Sequence, residues 1–255
     1  MLRPSQLLAL VFAVLLASPA PAATRGPLGD TLARVQALHA AGGHPIVIFD
    51  LDDTLFRVAY RTRRILRDWT NLQHPGADLR ARVWALDPLK MPYSLNGTLD
   101  RAGISDPTLR KSADRYWFRD FFGKDYLETD ATVPGAVVYA RMLAHSGATL
   151  VYLTGRDDAR ARANTLLALR KAGFPDAELV MKKDPKGNDV AFKEAATNDI
   201  ARQGTVVASF DNEPANCNMF RRALPDAIVA CVDTSHTETA PPLAPGVALI
   251  PDFRY

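Results

Sequence analysis

Five short apolar runs limit what this chain can fold into: Ile46 to Phe49, Ala148 to Leu153, Glu178 to Met181, Thr205 to Phe210 and Ala227 to Val232. Each has the length and β-branched character of a buried strand, and none is long enough for a buried helix. Helical stretches accompany them. Pro134 to His145 precedes the second run and Ala159 to Ala172 follows it; Phe192 to Arg202 precedes the fourth and Pro214 to Ala223 follows it. This alternation predicts an α/β fold, a Rossmann-like parallel sheet covered by helices on both faces. A further helix is expected over Asp30 to Ala41, with Asp30 as N-cap and Gly42-Gly43 as its stop. Val247 to Ile250 would add an edge strand, and the Pro- and Thr-rich stretch from Thr234 to Gly246 reads as an extended surface tail.

In open sheets of this kind a ligand sits outside the carboxyl ends of the strands, near a switch in strand order. The residues there are Asp50-Leu51-Asp52-Asp53-Thr54, Thr154-Gly155-Arg156 and Asp211-Asn212-Glu213. The alternation breaks between Arg57 and Thr132, a segment too long for a simple crossover. It carries Trp69, Trp84, Tyr93, Tyr116, Trp117, Phe118, Phe121 and Phe122. We therefore expect a mainly helical cap over 57–132, inserted after the first strand, with most of these aromatics packed inside it. The main domain is then 23–56 with 133–255.

The amino terminus is set apart. Leu7 to Ala17 is unbroken apolar sequence behind a single arginine, and Ser18 to Ala22 supplies a break and a small-x-small cleavage pattern. This is the pattern of a secretory signal peptide over 1–22, cleaved after Ala22, and its apolar run is about half the length of a membrane span. The implied location is outside the cytoplasm, most simply the periplasm, with no membrane attachment after cleavage. A net charge of +3 without a basic run offers no case for nucleic acid. The five histidines lack metal-ligand spacing, which argues against zinc. Cys217 and Cys231 either form a disulfide closing a short loop or remain two small buried thiols. The oligomeric state is not legible.

Three carboxylates within four residues, Asp50, Asp52 and Asp53, need an explanation. Two unit charges about 4 Å apart repel by roughly 4 kcal/mol at an effective dielectric near 20. Such a cluster requires a cation, a proton or solvent. A calcium-binding EF-hand loop is excluded, because its glycine position holds Leu55 and its final glutamate position holds Arg61. A magnesium-assisted phosphoryl-transfer site satisfies all three strand tips.

At these residues the chain resembles the haloacid dehalogenase-like (HAD) phosphohydrolase superfamily, whose first motif is an apolar strand followed by Asp-x-Asp-x-Thr. Here that motif is Ile46-Val47-Ile48-Phe49-Asp50-Leu51-Asp52-Asp53-Thr54. The resemblance implies that Asp50 is the nucleophile, forming an aspartyl-phosphate, and that Asp52 is the acid/base. The acid at position 52 favours phosphate esters over dehalogenation. Its protonation in the first step is expected from neighbours that disfavour another negative charge. Thr154 and Gly155 match the second motif, which holds phosphoryl oxygens, while Arg156 contacts substrate or braces the loop. Lys193 stands where the family places its phosphate-neutralising lysine, with Lys182, Lys183 and Lys186 as competitors. Asp211 matches the metal-binding acid of the fourth motif. Mg2+ would then be held by Asp50, by the main-chain carbonyl of Asp52 and by Asp211, with Asn212, Glu213 or Asn216 completing the shell. Asp53 is left with no chemical role beyond capping the turn.

The implied function is an exported magnesium-dependent phosphomonoesterase acting on small phosphorylated substrates, similar to the bacterial acid phosphatases of the superfamily. The competing reading is a catalytically silent protein of the same fold that binds phosphate ligands. The cap is expected to choose the substrate, and Arg57, Arg61, Arg63 and Arg64 either meet an anionic group or face water.

Overall fold

The computed structural model describes residues 26–73 and 75–255. The export signal and its cleavage point fall outside them. The first run becomes β1 (Pro45–Phe49), every residue of which is buried. Its side chains divide between two cores. Val47 and Phe49 meet one face with helices α1 (Gly26–Ala40) and α7 (Ala136–His145). Ile46 and Ile48 meet the other with α9 (Asp189–Ile200) and α10 (Pro214–Ala223). A strand buried on both sides has no polar face to show, which is why it reads as a continuous apolar run.

The remaining runs become β4 (Thr149–Asp157), β5 (Glu178–Lys182), β6 (Thr205–Asp211) and β7 (Ile228–Val232), with β8 (Val247–Ile250) at one edge. All six strands pair in parallel in the order β5-β4-β1-β6-β7-β8. From β1 the chain builds outward to β4 and β5, then returns to the opposite side of β1 for β6, β7 and β8. The switch in strand order therefore falls at β1, and a crevice must open at its carboxyl end.

Some boundaries differ from the expectation, each for a local reason. β4 continues through Thr154-Gly155-Arg156 to Asp157, because a register shift against β5 between Thr154 and Asp157 keeps it paired while it bends. Asp157 then caps α8 (Asp158–Ala172) through the amides of Ala159 and Arg160. Asp30 is not an N-cap. It lies inside α1, which already includes Pro27 in its first turn, where a missing N–H costs nothing. Asn188 caps the amide of Ala191 at 2.9 Å, so α9 starts one turn before Phe192.

Between β1 and β4 lies the cap. It is entered and left through a two-stranded stem in which β2 (Phe56–Arg57) pairs antiparallel with β3 (Ala131–Thr132). Above the stem are α2 (Ala59–Gln73), α3 (Ala77–Trp84), α4 (Leu95–Arg101), α5 (Pro107–Asp120) and the short α6 (Lys124–Leu127). Leu66, Trp69, Val83, Leu86, Met91, Leu99, Ala102, Ile104 and Ala113 form a core of its own. Trp69 packs inward as expected. Trp84 and Phe118 do not, being 42% and 63% exposed.

The segment from Thr234 to Gly246 is not simply a surface tail. The Thr237 amide and hydroxyl donate to the Glu213 carboxylate at 3.0 and 2.9 Å, and the Glu238 carboxylate accepts from the Ser94 hydroxyl of the cap at 2.7 Å. The segment thus runs as a strap from the main sheet to the cap. Cys217 and Cys231 are both buried free thiols, each near a main-chain carbonyl of the Asp211-Asn212 turn.

Candidate active site

Three strand tips meet beneath the cap around a cavity of about 340 Å³. Its floor includes Asp50, Asp52, Thr154, Gly155, Arg156, Lys193 and Asp211, so the structure brings together every residue that the motifs single out. The Asp50 amide donates to Phe210 at 2.9 Å, extending the pairing of β1 with β6 past the last strand residue. The chain then makes one tight turn, in which the amides of Leu55 and Phe56 both bond the carbonyl of Leu51 at 2.9 Å.

Asp53 sits in that turn at φ 55°, the one described residue other than glycine with a positive φ. Its carboxylate accepts from the Val58 amide at 3.1 Å, the capping part foreseen for it. Burial pushes its pKa up from an ordinary 3.8 to about 7, with the Val58 bond opposing. The folded chain therefore keeps a proton that the unfolded chain has released between those two values. Stability is lost as pH rises through that window. Asp53→Asn tolerates the left-handed backbone and cannot ionise. In the presence of a chelator it is expected to melt above the parent protein beyond pH 7 and together with it near pH 4. Thermal melts across pH check this, and equal melting temperatures at both ends would refute it.

Lys193, on α9, is 2% exposed and reaches Asp50 Oδ1 at 2.8 Å and Asp211 Oδ2 at 2.7 Å. Burial alone would lower its pKa, but the two carboxylates hold the ammonium charged. The same burial pushes the Asp50 carboxyl up, against the pull of Lys193 and helped by Asp211. The competing lysines lie elsewhere. Lys182 is bound to Asp189 and to the carbonyl of Gly187, while Lys183 and Lys186 are exposed.

Thr154 is buried, and its hydroxyl oxygen accepts from the Arg156 amide at 3.4 Å, which leaves the O–H free to donate into the cavity. A Cβ at Gly155 would stand 2.4 Å from a carboxylate oxygen of Asp189, so a larger residue there would have to displace that side chain. The Thr54 hydroxyl lies within hydrogen-bond reach of Asp50 Oδ2 at 3.0 Å and Asn212 Oδ1 at 3.2 Å.

Asp52 departs from its expected setting. Instead of neighbours that disfavour negative charge, it faces two guanidiniums. Arg156 grips it with Nε at 3.0 Å and Nη2 at 2.6 Å, and Arg61 Nη2 adds a third bond at 2.8 Å. Burial raises its pKa, but the two arginines outweigh burial and hold the carboxyl below the usual carboxylate range. Arg61 therefore neither faces water nor waits for an anionic substrate. It is wholly buried in ion pairs with Asp52 and Asp130. Arg156 braces Asp52.

The cap supplies the cavity's apolar side, where Val58, Tyr93, Leu95, Trp117, Phe121 and Phe122 line the wall. Sequence alone did not distinguish these aromatics from those that pack internally. A helical stripe shows that a side chain is buried, and does not show against which partner.

The oxygens suited to a hard cation are few. Among the described residues no three His, Cys, Asp or Glu side chains gather to hold a metal. Asp50 and Asp211 offer two carboxylates, a number that suits magnesium, which takes one or two together with phosphate and water. The third side-chain oxygen has a clear candidate. Asn216 Oδ1 is buried without a partner while its Nδ2 donates to Asp211 at 3.2 Å. Glu213 is committed to the strap, and the Asn212 side-chain oxygen is within reach of Thr54.

Comparison with known proteins bears on the same tips. Residues 116–211 match the family described as HAD superfamily, subfamily IIIB (acid phosphatase), a stretch that contains Thr154, Lys193 and Asp211 but not Asp50. None of the curated proteins compared matches the chain. Among solved structures, a candidate phosphatase from Clostridium difficile is similar over 78% of this chain and 89% of its own, at 15% identity and a TM-score of 0.52. A HAD-superfamily hydrolase of subfamily IA from Geobacter sulfurreducens covers 84% of this chain and 95% of its own, at 12% identity and a TM-score of 0.51. At such identities the likeness is one of fold. The first motif, outside the matched segment, completes the set of tips independently. Over residues 116–211 the chain is similar to the acid phosphatases of HAD superfamily subfamily IIIB, and its fold is similar to those of the two solved hydrolases.

Proposed function

We propose that the protein is an exported phosphomonoesterase that hydrolyses small phosphate esters through an aspartyl-phosphate on Asp50, with magnesium as its cofactor. The observation that carries this reading is the Asp50–Lys193–Asp211 arrangement beneath the cavity. A buried ammonium bridges two carboxylates at the tips of neighbouring strands, Asp50 Oδ1 at 2.8 Å and Asp211 Oδ2 at 2.7 Å. In the first step an Asp50 oxygen bonds to phosphorus, the ester P–O bond breaks, and the leaving oxygen takes its proton from Asp52 or departs as a stable anion. In the second, water attacks phosphorus, Asp52 takes the water's proton, and Asp50 leaves as a carboxylate. The arginines that ionise Asp52 favour its base form, so substrates whose leaving group needs no proton should be turned over best.

Thr154 and the amides of its loop would hold the phosphoryl oxygens, and Lys193 would neutralise them. The cation would sit on Asp50, Asp211, the carbonyl of Asp52 and Asn216. When bound it supplies charge neutralisation for the phosphoryl group. The aromatic wall supports an aryl or other flat apolar group on the ester. Export rests on the leader pattern alone; among the described residues no helix is long and apolar enough to cross a membrane.

Residues 23–255 should release phosphate from an aryl phosphate in magnesium, lose that activity in chelator, and prefer the aryl ester to an alkyl ester of similar size. A protein that binds these esters without turning them over would instead support the silent ligand-binding reading.

A further inference from the structure

Asp52 ends in a buried network of four side chains drawn from both parts of the molecule. Arg61, in the first turn of α2, and Asp130, just before the stem returns through β3, belong to the cap side. Asp52 and Arg156 belong to the sheet. Two guanidiniums and two carboxylates balance in charge. The side chains of Arg61, Arg156 and Asp130 are 0%, 0% and 1% exposed, whereas Asp52 is 28% exposed. Of the four side chains, the Asp52 carboxylate is the one that reaches solvent.

Arg61 and Asp130 already form a two-point pair through Nε and Nη2, and Arg156 already holds Asp52 with two bonds and is itself anchored on Thr165 at 3.1 Å. The bond from Arg61 Nη2 to Asp52, at 2.8 Å, is the short link between the two pairs across the boundary between cap and sheet, beside a longer approach of Arg156 Nη2 to Asp130 at 3.8 Å. Arg61 also reads the cavity wall. Its guanidinium lies 4.4 Å from the centroid of the Phe121 ring, and Nη1 donates to the Phe121 carbonyl at 3.3 Å. One planar group thus touches the cap wall, the stem and Asp52, a task for which the rigid fork of arginine is suited and lysine is not.

We propose that Arg61 is a positioning residue, which fixes the Asp52 carboxylate for activation of water in the second step only while the cap is seated on the sheet. With Arg156 alone, Asp52 is held from one side and can pivot about that pair. With Arg61 in place Oδ1 takes a second bond from the cap side, while Oδ2 keeps only the bond from Arg156 Nε. This inference rests on the aspartyl-phosphate reading, in which Asp52 serves as base after Asp50 has been phosphorylated.

The test uses the full mature chain and a nitrophenyl phosphate in magnesium, followed by rapid quench, with trapping of acid-stable phosphoenzyme. In Arg61→Lys, release of nitrophenol should show a burst approaching one equivalent per chain, followed by a steady rate lowered roughly 10²-fold, the scale set by misplacing a catalytic group by about 1 Å. That steady rate should be nearly the same for different aryl esters, because all of them share hydrolysis of one phosphoenzyme. A residue that only supports folding would lower burst and steady rate together. Since Arg61→Lys leaves Asp130 less well paired, the apolar pair Arg61→Met with Asp130→Leu provides a second variant in which no buried charge is stranded. It should fold and show the same burst.

Asp52→Asn separates the inference from its basis. If Asp52→Asn accumulates phosphoenzyme and both Arg61 variants do not, the positioning role is overturned and the aspartyl-phosphate reading stands. If no variant forms phosphoenzyme, the reading itself fails.

Discussion

Asp50→Asn is expected to lower phosphate release by at least about 10⁴-fold, the scale on which covalent enzymes lose turnover with their nucleophile, while leaving the fold intact. The amide still fits the space, still accepts from Thr54, and leaves Lys193 paired with Asp211 at 2.7 Å. Stability should hold or rise, because burial disfavours the ionised Asp50 carboxyl that it replaces. Parallel measurements of turnover, circular dichroism and melting temperature check both parts. Residual magnesium-dependent activity within about tenfold of the parent protein would show that Asp50 is not the atom attacking phosphorus.

Removing the opposite charge should have the opposite signature. Lys193→Met leaves Asp50 and Asp211 buried and facing one another without the ammonium that now bridges them. Breaking a buried pair by deleting one partner costs about 3–5 kcal/mol, which for a domain of this size corresponds to a fall of roughly 10 °C in melting temperature. That fall is expected in chelator. Magnesium should recover part of it, since a cation bound to the folded state and not to the unfolded chain stabilises by mass action. Activity should be lost under both conditions. If the variant melts with the parent protein in chelator, the ammonium bridge between the two carboxylates does not stabilise the fold. If magnesium shifts neither protein, the cation site is not where the oxygens place it.

The two variants also separate chemistry from architecture. Asp50→Asn should be a stable protein without turnover, and Lys193→Met an unstable one that responds to metal. An unrelated structural defect would not produce the two patterns in that order.

Much of this was legible in the chain itself. Strands buried on both faces leave unbroken apolar runs, and the helices between them leave a longer period, so the α/β class and its parallel sheet follow from local pattern. The polar residues that end those runs, Asp50, Thr154 and Asp211, could be placed at one edge because strand direction in such a fold is set by the connections. Lys193 could be named but not separated from Lys182, since both lie near the same helix start, and only packing shows that one is consumed by Asp189.

What tertiary structure alone decided lies across the boundary between cap and sheet. Arg61 was one arginine in a basic stretch, and Asp130 one acid at the end of an insertion. Their 69-residue separation in sequence gives no sign that they pair, still less that the pair reaches Asp52. The same holds for Glu213, which the strap takes away from any metal, and for Asn216, whose unpartnered oxygen becomes visible only once every neighbour is in place. Local sequence determines which residues can ionise, turn or pack. Which charge meets which depends on contacts between distant segments, and here those contacts set the charge state of Asp52 against the expectation drawn from its immediate neighbours.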